Sequence, residues 1–354
     1  MMNLDNSESF AKLDPQDMLG QIDNLPDQLM NAWELGQKAE LPEIGGIRQI
    51  VISGMGGSAI GADLLAAYLS PTCPVSITVH RDYDLPTWAT GNETLVIASS
   101  HSGNTEETLS AFDVALARNC QCMAVSTGGK LAQIANDNQA ILWTFEHHGQ
   151  PRAAVGYSFG LLLAALSRMK LTSDPEAELK EAVLSMKKQQ EIISAQSALA
   201  QNPAKRIAGQ LIDRWVSVFG SGLLSPVARR WKGQISEIAK AWAQFEFLPE
   251  ANHNTLAGIL NPEMLFSRQI TLFLRAPSDH PRNRLRSDLT RQAFMLEGIS
   301  TDSVDARGES RLAHLWTCLH FGDYVAYYLA MAYEVDPTPV EAIEYFKQEM
   351  TAAE

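Results

Sequence analysis

Apolar residues recur along this chain in two alternating patterns. Short unbroken apolar runs, as in RQIVISGMGGS and TLVIASS, lead into Gly- or Ser-rich loops, and stretches with helical spacing such as GADLLAAYLS and EETLSAFDVALARN follow. Strands without a polar alternation are typical of a parallel sheet that is covered by helices on both faces. The pattern predicts a doubly wound α/β unit over residues 45–155.

The same succession occurs a second time. A strand, a Gly/Ser loop and a helix are predicted again in WVSVFGSGLLSPVARRWKGQISEIAKAW. The strand QITLFLRAP and the helix SDLTRQAFMLEGI then correspond to TLVIASS and EETLSAFDVALARN of the first unit. This repeat of pattern predicts a second α/β unit over residues 205–310. Connecting helices are predicted at 156–204, an N-terminal helical segment at 1–44 and a C-terminal helical segment at 311–354. The predicted fold class is α/β, with two parallel sheets flanked by helices.

Composition narrows the choice of partners. The chain of 354 residues carries 28 Lys and Arg against 41 Asp and Glu, a net charge of −13. Such a balance argues against nucleic acid as a partner, because a phosphate backbone needs a basic face. The longest apolar run, FGLLLAALS, is too short to span a membrane. The polar, acidic start MMNLDNSESFAKLDPQDM shows no secretion signal, so a cytoplasmic protein is expected.

The first candidate binding loop is GMGGSAIGADLL, residues 54–65. Its glycines, Gly57 among them, let the backbone approach a ligand closely, and Ser58 places a hydroxyl at a helix N-terminus, where free N–H groups favour anions. The loop also contains the G-x-G-x-x-A pattern of dinucleotide sites. However, the next strand, SITVHRD, ends in a histidine and an arginine where the acidic ribose ligand is expected. A tight turn without a ligand is the alternative.

The second candidate loop is SSHSGNTEETL, residues 99–109. Ser100, Ser102 and Thr105 bring three hydroxyls into six residues after a buried strand, and Gly103 permits the bend. Hydroxyls and helix N–H donors together can hold a phosphate dianion without cationic side chains. Ligands bind at the carboxyl ends of parallel strands, so both loops are expected at one edge of the sheet. An ordinary Ser-capped helix is the alternative.

A third segment, WKGQISEIAKAWAQFEFLPEANHN, contains Glu237 and His253. A carboxylate can move a proton between two adjacent carbons of a sugar, and an imidazole can open the sugar ring. Taken singly, each has a plainer interpretation: Glu237 as a solvated helix residue and His253 as a capping or core histidine. Adjacent His147 and His148 point to opposite faces of a strand and have no third ligand at suitable spacing, so no metal is predicted.

The two loops resemble those of the sugar isomerase (SIS) domain. With PRAAVGYS, RWKGQISEIAK, PEANHN and DPTPVEAIEYFK, the chain is similar over nearly its whole length to the bifunctional phosphoglucose/phosphomannose isomerase family. The resemblance implies two SIS-type subdomains with flavodoxin-like sheets. It also implies isomerisation of glucose 6-phosphate and mannose 6-phosphate with fructose 6-phosphate through a cis-enediol, without a cofactor, by a homodimer with composite active sites.

The resemblance further implies a role for each matching residue. Arg152 would lie beside the reacting carbons, Glu237 would be the general base, and Lys347 would assist at the ring oxygen or its hydroxyl. His253 would open the ring, in the active site of the neighbouring subunit. Five residues of the two loops would bind the substrate phosphate: Gly57, Ser58, Ser100, Ser102 and Thr105.

One position departs from the family pattern, in which SYSGNT is common where this chain has SHSGNT. We predict that His101 points into the packing of the sheet or helices, because its neighbours face the other side of the loop. A catalytic role is the alternative. Two other functions stay open. One is a non-catalytic sugar-phosphate sensor, which would have no need of a base such as Glu237, and the other is an isomerase of another phosphosugar.

Overall fold

The computed structural model describes residues 3–352 and contains two parallel sheets. The first has five strands in the order β2-β1-β3-β4-β5: β1 (Gln49–Ser53), β2 (Ser76–His80), β3 (Thr94–Ser100), β4 (Gln121–Ser126) and β5 (Ile141–Thr144). The second has four in the order β7-β6-β8-β9: β6 (Trp215–Ser221), β7 (Ala243–Leu248), β8 (Gln269–Arg275) and β9 (Ser300–Asp305). Every pairing is parallel. The predicted fold class is confirmed.

The helices alternate with the strands as the spacing predicted. They are α1 (Phe10–Leu13), α2 (Met18–Asp23), α3 (Leu25–Lys38), α4 (Gly56–Leu69), α5 (Glu106–Ala117), α6 (Gly129–Asp137), α7 (Val155–Arg168), α8 (Glu176–Ile193), α9 (Pro203–Leu211), α10 (Ser225–Ile238), α11 (Pro281–Leu296), α12 (Arg311–Tyr333) and α13 (Glu341–Ala352). Short 3₁₀ turns include Pro151–Ala153 and Glu250–Asn252. The boundaries predicted for the five segments of the chain stay predictions.

Two apolar helices form the centre of the molecule. α7 is buried along nearly its whole length and packs against α3 and α4, and α12 is buried almost throughout and packs against α8, α9 and α10. Helices that are apolar all round belong in a protein interior. Within residues 3–352, no helix combines the length and the apolar character needed to cross a bilayer.

The two halves meet where α4 packs against α10. Asp63 on α4 accepts hydrogen bonds from Arg229 on α10 (2.9 Å) and from Arg81 after β2 (2.5 Å). The Arg229 guanidinium also lies over the rings of Phe245 and Phe247 on β7. Because α4 begins at the first candidate loop and α10 carries Glu237, this contact brings the two functional segments together.

Candidate active site

The loop between β1 and α4 lies against the segment that carries Arg152. A Cβ atom on Gly57 would stand 2.5 Å from the carbonyl oxygen of Pro151, so only glycine permits this approach. Ser58 is buried, and its Oγ accepts a hydrogen bond from the backbone N–H of His101 (3.2 Å). The segments after the neighbouring strands β1 and β3 are therefore in direct contact at one edge of the sheet.

Hydroxyls of the loop between β3 and α5 are ordered by bonds within the loop. The Ser100 and Thr105 hydroxyls are 3.0 Å apart, and Ser100 Oγ accepts from the N–H of Gly103 (3.1 Å). Ser102 Oγ accepts from the N–H of Asn104 (3.2 Å). Gly103 has φ +67° and touches the loop after β4, where a side chain would collide with the backbone. The loop thus presents hydroxyls and the start of α5 at the carboxyl edge of the sheet, an arrangement suited to an anion.

Arg152 and Glu237 form an ion pair across the two halves of the protein. Arg152 Nη1 is 3.7 Å from Glu237 Oε2, and the arginine side chain is 5% exposed whereas the glutamate is 34% exposed. Arg152 Nη2 donates to the carbonyl of Pro337 (2.9 Å) and to that of Thr338, while its buried Nε has no partner among the described residues. A fixed cation therefore stands beside a carboxylate that solvent can reach.

Burial lowers the pKa of the Arg152 guanidinium, an effect that Glu237 opposes and the nearby Arg230 strengthens. Arg230 is buried next to Arg152 and forms an ion pair with Asp323, to which it donates through Nε (3.1 Å) and Nη2 (2.7 Å). Its Nη2 also donates to the backbone carbonyl of Arg152 (3.1 Å). A buried ion pair between α10 and α12 thus supports the backbone of Arg152.

Sequence reasoning missed two charged neighbours of this pair. Lys240, just after α10, donates from Nζ to the carbonyl of Glu237 (2.6 Å), and desolvation, with Arg152 adding to it, lowers its pKa to about 8. Asp336, in the DPTP segment, raises the pKa values of both Lys240 and Arg152. Both residues lie in segments that carry the family resemblance, which is the one signal that could have singled them out.

The structure does not bring His253 or Lys347 to Glu237. His253 is exposed in the turn after β7, and Lys347 is exposed on α13, a helix without buried residues. Within residues 3–352, neither side chain makes a hydrogen bond or an ion pair. Their predicted catalytic roles stay predictions.

The predicted orientation of His101 agrees with its packing. The ring is partly buried, with its centroid 5.9 Å from that of Phe145 and 5.1 Å from that of His147. Within residues 3–352, no hydrogen bond or ring contact joins the His101 side chain directly to Glu237. As for metals, no group of three or more His, Cys, Asp or Glu side chains within the described range could hold an ion.

Two parallel sheets, hydroxyl loops at the carboxyl edge of the first sheet and a carboxylate–arginine pair agree with the sugar isomerase (SIS) class that the resemblance of the two loops implies. A hypothetical protein of known structure from Thermus thermophilus has a similar fold, with a TM-score of 0.75 at 17% identity over 98% of this chain and 94% of that one. The family model of the bacterial phospho-glucose isomerase C-terminal SIS domain matches residues 200–350.

Curated relatives narrow this class to one family. The bifunctional phosphoglucose/phosphomannose isomerase of Caldicellulosiruptor bescii is 36% identical over 94% of this chain and 98% of its own length. The protein of the same name from Aquifex aeolicus is 33% identical over 85% of this chain and 90% of its own length. The chain belongs to the bifunctional phosphoglucose/phosphomannose isomerase family.

Proposed function

We propose that this protein isomerises glucose 6-phosphate, and also mannose 6-phosphate, reversibly with fructose 6-phosphate. The observation that carries the proposal is the Glu237 carboxylate 3.7 Å from the buried Arg152 guanidinium, beside two loops of hydroxyls and helix N-termini. This arrangement offers a base and a cation at one end of a substrate and an anion-binding loop at the other. Family membership supports the choice of sugar phosphates.

In the proposed reaction the phosphate dianion accepts hydrogen bonds from the two loops. Residues in this role are Gly57, Ser58, Ser100, Ser102 and Thr105. Glu237 removes the proton from C2 of the open-chain aldose and returns it to C1, while the proton on O2 passes to O1. Arg152 stabilises the negative charge that builds on the enediolate oxygens, because a guanidinium stays charged and is already in place.

The same chemistry explains why two substrates are proposed. Glucose 6-phosphate and mannose 6-phosphate differ only in the configuration at C2. Once C2 has lost its proton it is planar, and both sugars give the same cis-enediol. One carboxylate that can approach C2 from either epimer then serves both reactions, and the chemistry itself calls for no cofactor or metal.

Ring opening requires an acid–base group close to the ring oxygen, and we propose His253 of a neighbouring subunit for it. The turn that bears His253 is tied to α11, since Asn252 Nδ2 donates to Thr290 Oγ1 (2.7 Å). Large apolar side chains are exposed on the segments next in the chain, with Met264 81% exposed after this turn and Leu296 78% exposed at the end of α11. Exposed apolar surface of this kind favours a protein interface. We therefore propose a homodimer with composite sites, in which Lys347 assists at the ring oxygen.

We also propose a cytoplasmic location. All four cysteines lie within the described residues and all are free, which is usual for proteins of reducing compartments.

A coupled assay with glucose 6-phosphate and mannose 6-phosphate as separate substrates tests the proposed activity. Both should be converted to fructose 6-phosphate. Glu237→Gln should lower kcat by about 10²–10⁴-fold, the usual contribution of a general base, while fructose 6-phosphate binding survives. Glu191→Gln is the matched control, because Glu191 is an exposed glutamate on α8 without a side-chain partner among the described residues. Tight binding by the parent protein without turnover would instead identify a sensor.

Subunit mixing tests the composite site. Glu237→Gln and His253→Ala proteins should each be inactive, but their mixture should regain about a quarter of the parent activity, since half of randomly paired dimers are mixed and each has one intact site. Tagged subunits establish that exchange has taken place. If exchange occurs and no activity returns, His253 acts within its own chain or has no catalytic role.

A further inference from the structure

His101 lies where four loops meet at the carboxyl edge of the first sheet. Its N–H donates to Ser58 Oγ in the first turn of α4, which follows β1. Its carbonyl accepts from the N–H (3.1 Å) and the Oγ1 (2.7 Å) of Thr127 in the loop after β4. These are contacts of the His101 backbone, so they do not depend on the side chain at position 101. They hold the phosphate loop in place whatever residue stands there.

The side chain makes a different connection. His101 Nε2 is 3.0 Å from His147 Nδ1, and His147 belongs to the segment that leads from β5 to the turn bearing Arg152. The other side of this segment is anchored by Phe145, whose ring stacks on Tyr157 of α7 with the centroids 4.8 Å apart. The imidazole pair, together with the edge-on contact between the His101 and Phe145 rings (5.9 Å), thus links the phosphate loop to the Arg152 segment.

We infer that His101 is a positioning residue, which sets the distance between the phosphate-binding loop and Arg152 through its hydrogen bond to His147. The inference rests on the proposed function. In a bound sugar phosphate, C1 and C2 are several bonds away from the phosphate group. The distance between the phosphate loop and Arg152 therefore determines where the reacting carbons lie relative to Arg152. Small misplacements of reacting groups cost much of the rate.

The environment suits a bond between two uncharged rings. Burial, with the neighbouring His147 adding to it, lowers the pKa of His101 to about 4, and burial likewise lowers the pKa of His147, with His148 adding to the effect. At neutral pH one ring donates an N–H and the other accepts it. No counter-ion is needed, so the link persists in a partly buried site.

Two substitutions distinguish the contribution of the His101 ring from that of its hydrogen bond. His101→Phe keeps a flat ring against Phe145 but removes the bond, and His101→Gln loses the ring but places an amide where Nε2 lies. We expect His101→Phe to lower kcat about tenfold with KM within about twofold, because the backbone contacts of the phosphate loop survive. His101→Gln should recover most of the loss. His148→Phe is the matched control, since His148 is exposed and its side chain has no hydrogen-bond partner within residues 3–352.

The pair itself is tested by a double-mutant cycle. His147→Phe should lower kcat as His101→Phe does, and the double variant should be no worse than either single one, because both remove the same bond. Additive losses would overturn the inference. So would a raised KM with unchanged kcat in His101→Phe, or the same loss in His148→Phe. If His101→Phe fails to fold, His101→Gln and His147→Phe still test the inference.

A readout that needs no turnover distinguishes this inference from the proposed function. The backbone amides of Ala153 and Ala154 donate to the carbonyls of Gln150 and Pro151 in the turn that carries Arg152. Hydrogen exchange of these amides, measured by mass spectrometry, should be about tenfold faster in His101→Phe than in the parent protein. His148→Phe should leave it unchanged. Unchanged exchange in His101→Phe would overturn the inference even in a fully active enzyme. Faster exchange in a protein that isomerises no sugar phosphate would refute the proposed function and leave the structural link in place.

Discussion

Asp323→Asn should destabilise this protein strongly. Asp323 and Arg230 form a two-bond ion pair whose side chains are each 3% exposed. Removing one charge from a buried pair leaves the other without compensation, which costs about 3–5 kcal/mol. We expect the free energy of unfolding to fall by that amount. The asparagine has nearly the same shape, so the loss would not come from a cavity.

Urea unfolding followed by circular dichroism at pH 7 measures the change. All variants are compared at one protein concentration, because the stability of the proposed dimer would depend on it. Asp27→Asn is the matched control: Asp27 pairs with Lys187 at 2.5 Å, but the two side chains are 54% and 48% exposed. An exposed pair contributes less than about 1 kcal/mol. Equal losses in Asp323→Asn and Asp27→Asn would refute the argument from burial.

Replacing both partners separates stability from catalysis. Arg230→Met with Asp323→Leu removes the uncompensated charge, and such apolar replacements of buried pairs are often neutral or stabilising. Stability should therefore return close to that of the parent. Activity should not, because Arg230 also donates to the backbone carbonyl of Arg152 (3.1 Å). A kcat about tenfold below the parent is expected, and a fully active double variant would show that this contact has no part in placing Arg152.

Three further predictions concern acid stability, the phosphate loops and metals. Burial lowers the pKa of His320 to about 4, against about 6.5 in the unfolded chain, so the free energy of unfolding should fall by on the order of 3 kcal/mol as pH falls from 6.5 to 4. Urea unfolding at pH 7 and pH 4.5 should show a smaller fall in His320→Gln than in the parent protein, and equal falls in the two proteins would contradict this. Ser58→Ala or Thr105→Ala should mainly raise KM, each removing a charge-assisted bond worth about 1.5–3 kcal/mol, and unchanged fructose 6-phosphate binding in both would place the phosphate elsewhere. Chelators should leave turnover intact, whereas activity lost to a chelator and restored by zinc would overturn metal-free catalysis.

Much of the fold follows from local sequence patterns. The apolar run at residues 50–52 predicts a buried strand, the glycines after it predict a loop, and the structure has β1 and α4 there. That the segments after β1 and β3 lie at one edge of the sheet follows from the same patterns, whereas the contact between Ser58 and the backbone of His101 also requires these two strands to be neighbours in the sheet. The strand, the loop and the helix depend on steric and solvation preferences within a few residues.

The tertiary structure alone decided how the reacting groups are assembled. Nothing near Arg152 in sequence shows that carbonyls of residues 337 and 338 bury its guanidinium or that Glu237 lies 3.7 Å away. Nor does the sequence reveal the bond between His101 and His147 or the pKa of Lys240 near 8. The contacts of Arg152 and Lys240 arise where the turn before α7, the end of α10 and the segment after α12 converge, and the bond between His101 and His147 arises where the segments after β3 and β5 meet. Their energies depend on burial and on distances between charges, which exist only once segments distant in sequence have packed together.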